Sequence, residues 1–186
     1  MAGHRAVNRV WRHPRPKGAA GRCVGARSDL PVDPRKTKRL AHRLRAHARR
    51  HGLPRAVVTS PLRRAADVGR WLRRWGFAWT VDPTLAEIDF GAWDGLPWAA
   101  IPPARFDAWV QDFAGFDFEG GESLHRLLER AGAWVPPPGC ALAVSHGGWM
   151  LARRWRQTQP ERPPQAADWP AAPGYGEAWP LDYRKP

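Results

Sequence analysis

At 186 residues the chain is long enough for one domain with a full hydrophobic core, and 43% hydrophobic residues is an ordinary globular share. No run of about 18 apolar residues occurs, which excludes a membrane-spanning helix, and the basic N-terminus lacks the apolar core of a signal peptide. The formal charge of +13, carried almost wholly by arginine, points to anionic partners such as phosphate esters or nucleic acid, and reads equally as solvated basic helix faces.

The first strand is predicted over residues 7–12, where Val7, Arg9 and Trp11 alternate with Asn8, Val10 and Arg12. Pro14 and Pro16 stop it because they cannot donate to a sheet ladder, and Pro14 also keeps His13 extended. An Arg12-His13 pair thus stands at the carboxyl end of a strand, the edge of an open α/β sheet where ligands bind. Taken alone, the pair is equally a solvated turn. Residues 18–31 read as loop, punctuated by Gly18, Gly21, Gly25 and Pro31.

Asp33-Pro34 supplies an N-cap and an N1 proline, and Leu40, Leu44 and Ala48 recur at helical spacing until Gly52 and Pro54 end the helix. His47 and His51 lie one turn apart but lack a third ligand, so they read as part of a basic face. Residues 55–59 form a buried strand candidate. Ser60-Pro61 repeats the cap-plus-proline signature and is expected to open a second helix with Leu62, Ala65, Val68, Leu72 and Trp75 inward. Arg63 and Arg64 in its first turn oppose the helix dipole unless an anion joins them there. Residues 77–81 are a third strand candidate, and this strand–helix alternation predicts a parallel sheet with crossover helices.

Residues 85–95 set Glu87, Asp89 and Asp94 among apolar and glycine positions. A carboxyl group buried there would be raised in pKa and able to donate a proton; the same acids also read as helix caps or partners for surplus arginines. Residues 102–118 suggest a short helix with Phe106, Trp109 and Phe113 on one face. After Gly120-Gly121-Glu122-Ser123 comes a helix with Leu124, Leu127, Leu128 and Ala131 inward. The nearly continuous apolar run 140–145 is the best central strand, delivering His146 ahead of Gly147-Gly148 and a helix from Trp149. Residues 157–173 are left unassigned, residues 177–183 suggest a final edge strand, and no internal repeat is present.

Arg12-His13, Arg63-Arg64, Glu87 and His146 therefore all fall at or just after strand ends. Two histidines, arginines and a carboxylate suit phosphoryl transfer: an imidazole attacks phosphorus, guanidinium forks hold its oxygens, and a carboxyl group protonates the leaving oxygen. The set calls for no metal, and Cys23 and Cys140, two lone cysteines without metal-ligand spacing, suggest a reducing compartment.

These residues resemble the histidine phosphatase superfamily, the phosphoglycerate-mutase-like proteins. Arg12-His13 stands where that family has Arg-His-Gly. Residues 59–65 (Thr-Ser-Pro-Leu-Arg-Arg-Ala) are similar to its Ser-x-Leu-x-Arg-Ala segment, and residues 85–95 to its Leu-x-Glu-x-x-x-Gly-x-Trp-Glu-Gly. Gly121-Glu122-Ser123 and Val144-Ser145-His146-Gly147-Gly148 follow in the expected order. The resemblance implies a three-layer α/β/α fold with a mostly parallel central sheet, formed by residues 1–186 as one domain with residues 157–186 as a proline- and tryptophan-rich tail. It implies His13 as nucleophile, Arg12, Arg64 and His146 as phosphate ligands, and Glu87 as proton donor. Arg63 and Ser123 are further substrate-binding candidates, Ser123 reading also as a helix cap and Glu122 as at most a supporting residue.

The departure is Pro14 where the family has glycine, which removes one backbone N–H beside the nucleophile. Arg-His-Pro-Arg-Pro followed by Cys23-Val24-Gly25 and residues 27–31 resembles the α-ribazole phosphatase branch of cobalamin synthesis. The chain also lacks the long insertion of the glycolytic mutases, which favours phosphatase over mutase. The expected partner is a small-molecule phosphate monoester, with no cofactor, no metal and no membrane, in the cytoplasm. Two rivals remain: a nucleic-acid module built on Trp71, Trp75 and Trp79 with Arg70, Arg73 and Arg74, and a relative that binds phosphate without catalysis. Nucleic acid is the weaker of these, because base stacking leaves the placement of His13, Glu87 and His146 unexplained.

Overall fold

The computed structural model describes residues 9–181, so Val7 and Asn8 of the expected first strand and Asp182 and Tyr183 of the expected last one lie outside the described residues. Among the described residues five strands form one sheet: β1 (Arg9–Arg12), β2 (Ala56–Thr59), β3 (Ala78–Val81), β4 (Leu142–Ser145) and β5 (Ala178–Pro180), in the order β3-β2-β4-β1-β5. The pairs β1/β4, β2/β4 and β2/β3 are parallel, and β5 closes the β1 edge antiparallel. Five α-helices accompany them among the described residues: α1 (Pro34–Arg50), α2 (Arg63–Arg74), α3 (Pro103–Gln111), α4 (Leu124–Ala133) and α5 (Gly147–Thr158).

Strand alternation divides the core between the two faces of the sheet. Trp11, Val57, Leu142 and Val144 pack with Leu40, Leu44, Ala65, Val68 and Leu72 of α1 and α2. Val10, Val58 and Ala143 point the other way, into Leu124, Leu127, Leu128, Trp149 and Met150 of α4 and α5 and the aromatic residues of 93–118. The expected three-layer α/β/α architecture is the one observed.

Asp33 caps α1 at the N–H of Arg35 (2.8 Å), with Pro34 at N1, and all four predicted inward residues of α4 are buried. The start of α2 differs from expectation. Ser60 does not open it, because its N–H continues the sheet by donating to Val144 O (3.1 Å). The helix begins at Arg63, and Leu62 at the N-cap supplies no side-chain cap. The missing cap comes from a distant loop, where Asp29 Oδ1 accepts the N–H of Arg63 at 2.6 Å. At this helix start a carboxylate of the chain itself accepts the first free N–H.

The unassigned stretch 157–173 contains the last turn of α5 and a 3-10 turn at Ala166–Asp168, with Trp169 packed against Trp155 and Phe113. Among the described residues no helix is long and apolar enough to cross a membrane.

Candidate active site

Parallel pairing sets Arg12 of β1 opposite Ser145 of β4, so the next residue of each strand, His13 and His146, emerges at the same carboxyl edge. The His13 N–H extends the ladder to Ser145 O (3.1 Å), and the two rings lie 4.9 Å apart at 57°. Both are buried, His13 at 4% exposure and His146 at 0%.

Their partners fix both tautomers. His13 Nδ1 lies 2.7 Å from Pro14 O, and a carbonyl only accepts, so Nδ1 carries the proton and Nε2 keeps its lone pair. Pro14 removes an N–H beside the nucleophile but supplies the oxygen that orients it. In His146 the arrangement is reversed: Arg64 Nε–H donates to Nδ1 at 3.2 Å, so Nε2–H donates to Ser60 Oγ at 2.7 Å. Burial holds both imidazoles well below the usual histidine pKa, reinforced by the Arg64 guanidinium, so both are neutral at neutral pH.

Arg64 is 1% exposed and donates also to Ser28 O (2.5 Å) and Gly25 O (2.8 Å), with its pKa lowered by burial against the opposing pull of Glu87 and Asp29. Three of its five N–H groups are engaged in these bonds. Arg12 donates to Pro173 O (2.6 Å) and lies 4.0 Å from the centre of the Tyr175 ring; its buried Nε meets no partner among the described residues. Tyr175 also stands 5.6 Å from the His13 ring. The segment carrying Pro173 and Tyr175 is tied to the end of β1 by Gly176 N–H to Arg12 O (3.0 Å) and Arg12 N–H to Glu177 O (2.9 Å).

Glu87 is buried and caps α5 from outside. Its Oε2 accepts the N–H of Gly148 (3.1 Å), and its Oε1 accepts those of Trp149 (3.2 Å) and its own neighbour Ile88 (3.1 Å). His146, the N-cap of α5, is thereby relieved of capping. The two glycines after His146 are there for want of space. A Cβ at Gly148 would stand 2.4 Å from Glu87 Oε1, and one at Gly147 would stand 3.1 Å from Arg12 Cζ.

Surrounding side chains hold the loops. Asp94 accepts from Gly25 N–H (3.1 Å), Arg27 N–H (2.8 Å) and the Ser28 hydroxyl, fixing the carbonyls that Arg64 uses. Arg130 pairs with both oxygens of Glu122 (2.9 and 2.7 Å) and donates to Thr84 O and Ala86 O, immobilising the segment before Glu87. Trp149 Nε1 adds a bond to Thr84 O (2.7 Å), and Ser145 Oγ one to Leu85 O (2.8 Å).

The structure thus brings Arg12, His13, Arg64, Glu87 and His146 to one edge. Arg63 stands in the first turn of α2, where its backbone N–H meets Asp29. Ser123 is the N-cap of α4, accepting the N–H of Arg126 at 3.4 Å. Sequence reasoning missed Ser60, whose position directly after a strand was a usable signal, and it noted Asp94 as a carboxylate without the loop-holding role that the structure gives it. It also missed Tyr175 and Arg130, for which no local signal exists. Among the described residues no three or more His, Cys, Asp or Glu side chains are placed to hold a metal ion.

Comparison with known proteins agrees with this fold. The native structure of the mycobacterial glucosyl-3-phosphoglycerate phosphatase Rv2419c superposes with a TM-score of 0.69 at 26% identity, over 92% of this chain and 88% of that one. A candidate α-ribazole-5′-P phosphatase of Escherichia coli K-12 shares the fold with a TM-score of 0.72 at 20% identity, over 92% of this chain and 88% of that one. The bifunctional protein Rv2228c of Mycobacterium tuberculosis is 41% identical over 87 residues, 45% of this chain but only 23% of that protein. This chain therefore matches less than a quarter of the length of that curated relative. The family profile described as histidine phosphatase superfamily (branch 1) matches residues 10–168. With the family's motif residues gathered at one sheet edge, the chain belongs to branch 1 of the histidine phosphatase superfamily.

Proposed function

We propose that this chain is a metal-independent phosphomonoesterase that works through a phosphohistidine at His13. The observation that carries the reading is the His13 Nδ1–Pro14 O bond, which leaves Nε2 as a free nucleophile on a neutral ring. In the first step Nε2 bonds to phosphorus while the P–O bond to the leaving group breaks, and a proton from the Glu87 carboxyl goes to the departing oxygen. In the second step water attacks phosphorus and gives its proton to the Glu87 carboxylate, and the P–N bond breaks, returning the electron pair to His13. Arg12, Arg64 and His146 hold the phosphoryl oxygens. The buried Nε of Arg12, without a partner among the described residues, is a donor that one such oxygen would satisfy. Arg63, whose backbone N–H meets Asp29, and Ser123, which accepts the N–H of Arg126, are further substrate-binding candidates.

For the substrate, α-ribazole 5′-phosphate is the first candidate. Arg64 bonds to Gly25 and Ser28 within the loop that carries the α-ribazole-type sequence, and the Escherichia coli neighbour shares the fold. Glucosyl-3-phosphoglycerate is the second, on the 26% identity with the mycobacterial phosphatase. The cytoplasm is the compartment that suits both free cysteines, Cys23 and Cys140.

The test is phosphate release from p-nitrophenyl phosphate in EDTA by wild type and His13→Ala, followed by the two candidate substrates. Release by wild type that is lost in His13→Ala is expected, with α-ribazole 5′-phosphate giving the higher kcat/KM of the two. No release from any of the three by wild type would overturn the reading.

A further inference from the structure

A second concave, cationic feature lies away from the His13 edge. Between the second half of α1 and the β1/β5 edge is a cleft of about 290 Å³, walled by Arg9, Arg43, Arg50 and His47 with Trp11 in its floor. Among the described residues no carboxylate lines it. Helix α1 has no acidic residue from Pro34 to Arg50, and Glu177, on the segment leading into β5, is committed to Gly174 N–H (2.6 Å) and Trp179 Nε1–H (2.9 Å). Arg9 Nε is buried and meets no partner among the described residues.

Guanidinium groups gathered around a concavity repel one another and leave N–H donors aimed into it, a cost that a bound anion removes. Phosphate fits best, since its oxygens match the planar guanidinium fork. The small side chains of Ala46 and Ala178 give the cleft its depth. Its volume stands at the lower end of ligand sites, which run from roughly 300 to 1,000 Å³, and so selects a compact ligand. Arg9 opens β1 whereas His13 follows its end, about 13 Å further along the strand, so one compact anion does not reach both.

We propose that this cleft is a second anion site, separate from the crevice at His13, for a compact ligand carrying phosphate groups. The probe is inorganic pyrophosphate, titrated calorimetrically into the full chain with vanadate present to fill a phosphate pocket at His13. Wild type is expected to bind one pyrophosphate per chain. Arg43 and Arg50 are exposed on α1, so Arg43→Ala with Arg50→Ala removes two walls without touching the core. This pair is expected to weaken binding about tenfold or more. The control is Arg35→Ala with Arg39→Ala, two exposed cations on the first half of the same helix, which removes equal charge. It is expected to change affinity less than about threefold. Absence of binding by wild type, or an equal loss in the two double variants, would overturn the site in favour of diffuse charge attraction.

Discussion

Arg64 Nε–H donates to His146 Nδ1 at 3.2 Å, and this bond sets the direction in which the second histidine presents its proton. Lysine in place of Arg64 keeps a charge but loses the fork that holds His146, Gly25 and Ser28 together. Arg64→Lys is predicted to lower kcat/KM for phosphate monoesters about 100-fold or more. Arg64→Ala additionally abandons two backbone carbonyls, at roughly 1–3 kcal/mol each. Steady-state kinetics and urea denaturation measure the two effects. A lysine variant with wild-type kcat/KM would contradict the role assigned to the fork.

Gly148 and Gly132 form a matched pair for testing the packing against Glu87. A Cβ at Gly148 falls 2.4 Å from Glu87 Oε1, so Gly148→Ala must displace the carboxylate or α5. It is predicted to cost about 1–3 kcal/mol and to lower kcat about 10-fold or more. A Cβ at Gly132, inside α4, meets only the flexible Arg156 side chain at 3.3 Å. Gly132→Ala is predicted to leave kcat unchanged and to raise stability by up to about 1 kcal/mol through helix propensity. Thermal melts with initial rates on both variants check the contrast.

Acid sensitivity follows from the two buried imidazoles. Each is held below its ordinary 6.5 in the folded chain, mainly by burial and then by Arg64, and returns to that value on unfolding. Between the folded and unfolded values the unfolded chain binds more protons, so stability falls as pH drops below 6.5. The predicted slope is about 1.4 kcal/mol per pH unit for each histidine, and His146→Gln should remove one of the two contributions. The acid limb of kcat/KM should likewise lie below 6.5, where the nucleophile protonates. Denaturation series across pH for wild type and variant test both statements.

Much of this arrangement was legible in the sequence because it is local. Strand runs ending in Arg12-His13 and Val144-Ser145-His146, and the stripe Leu124, Leu127, Leu128, Ala131, follow from periodicity and stop signals alone. What escaped is long-range. Asp29 capping α2 and Glu87 capping α5 join residues 34 and 61–62 positions apart, and a cap supplied from another loop leaves no mark beside the helix it serves. The return of Pro173 and Tyr175 onto Arg12 was equally hidden, since it depends on β5 pairing with β1. Ser60 was misread because a serine before proline is a common cap, whereas here the sheet takes its N–H and His146 its hydroxyl.

Asp94 is predicted to matter through the loop it holds. Asp94→Ala leaves the N–H groups of Gly25 and Arg27 and the Ser28 hydroxyl without their acceptor. The expected loss is roughly 1–3 kcal/mol of stability, together with a raised KM as the carbonyls under Arg64 loosen. A stability loss with KM and kcat both unchanged would show that the loop does not shape the crevice.

The most direct test of the central claim is to trap the phosphoenzyme. Wild type mixed with a radiolabelled phosphate monoester and quenched during turnover should carry label that is stable in base and labile in acid, on the peptide containing His13. His13→Ala should carry none. Turnover by wild type without label on His13, or undiminished turnover by His13→Ala, would contradict the account.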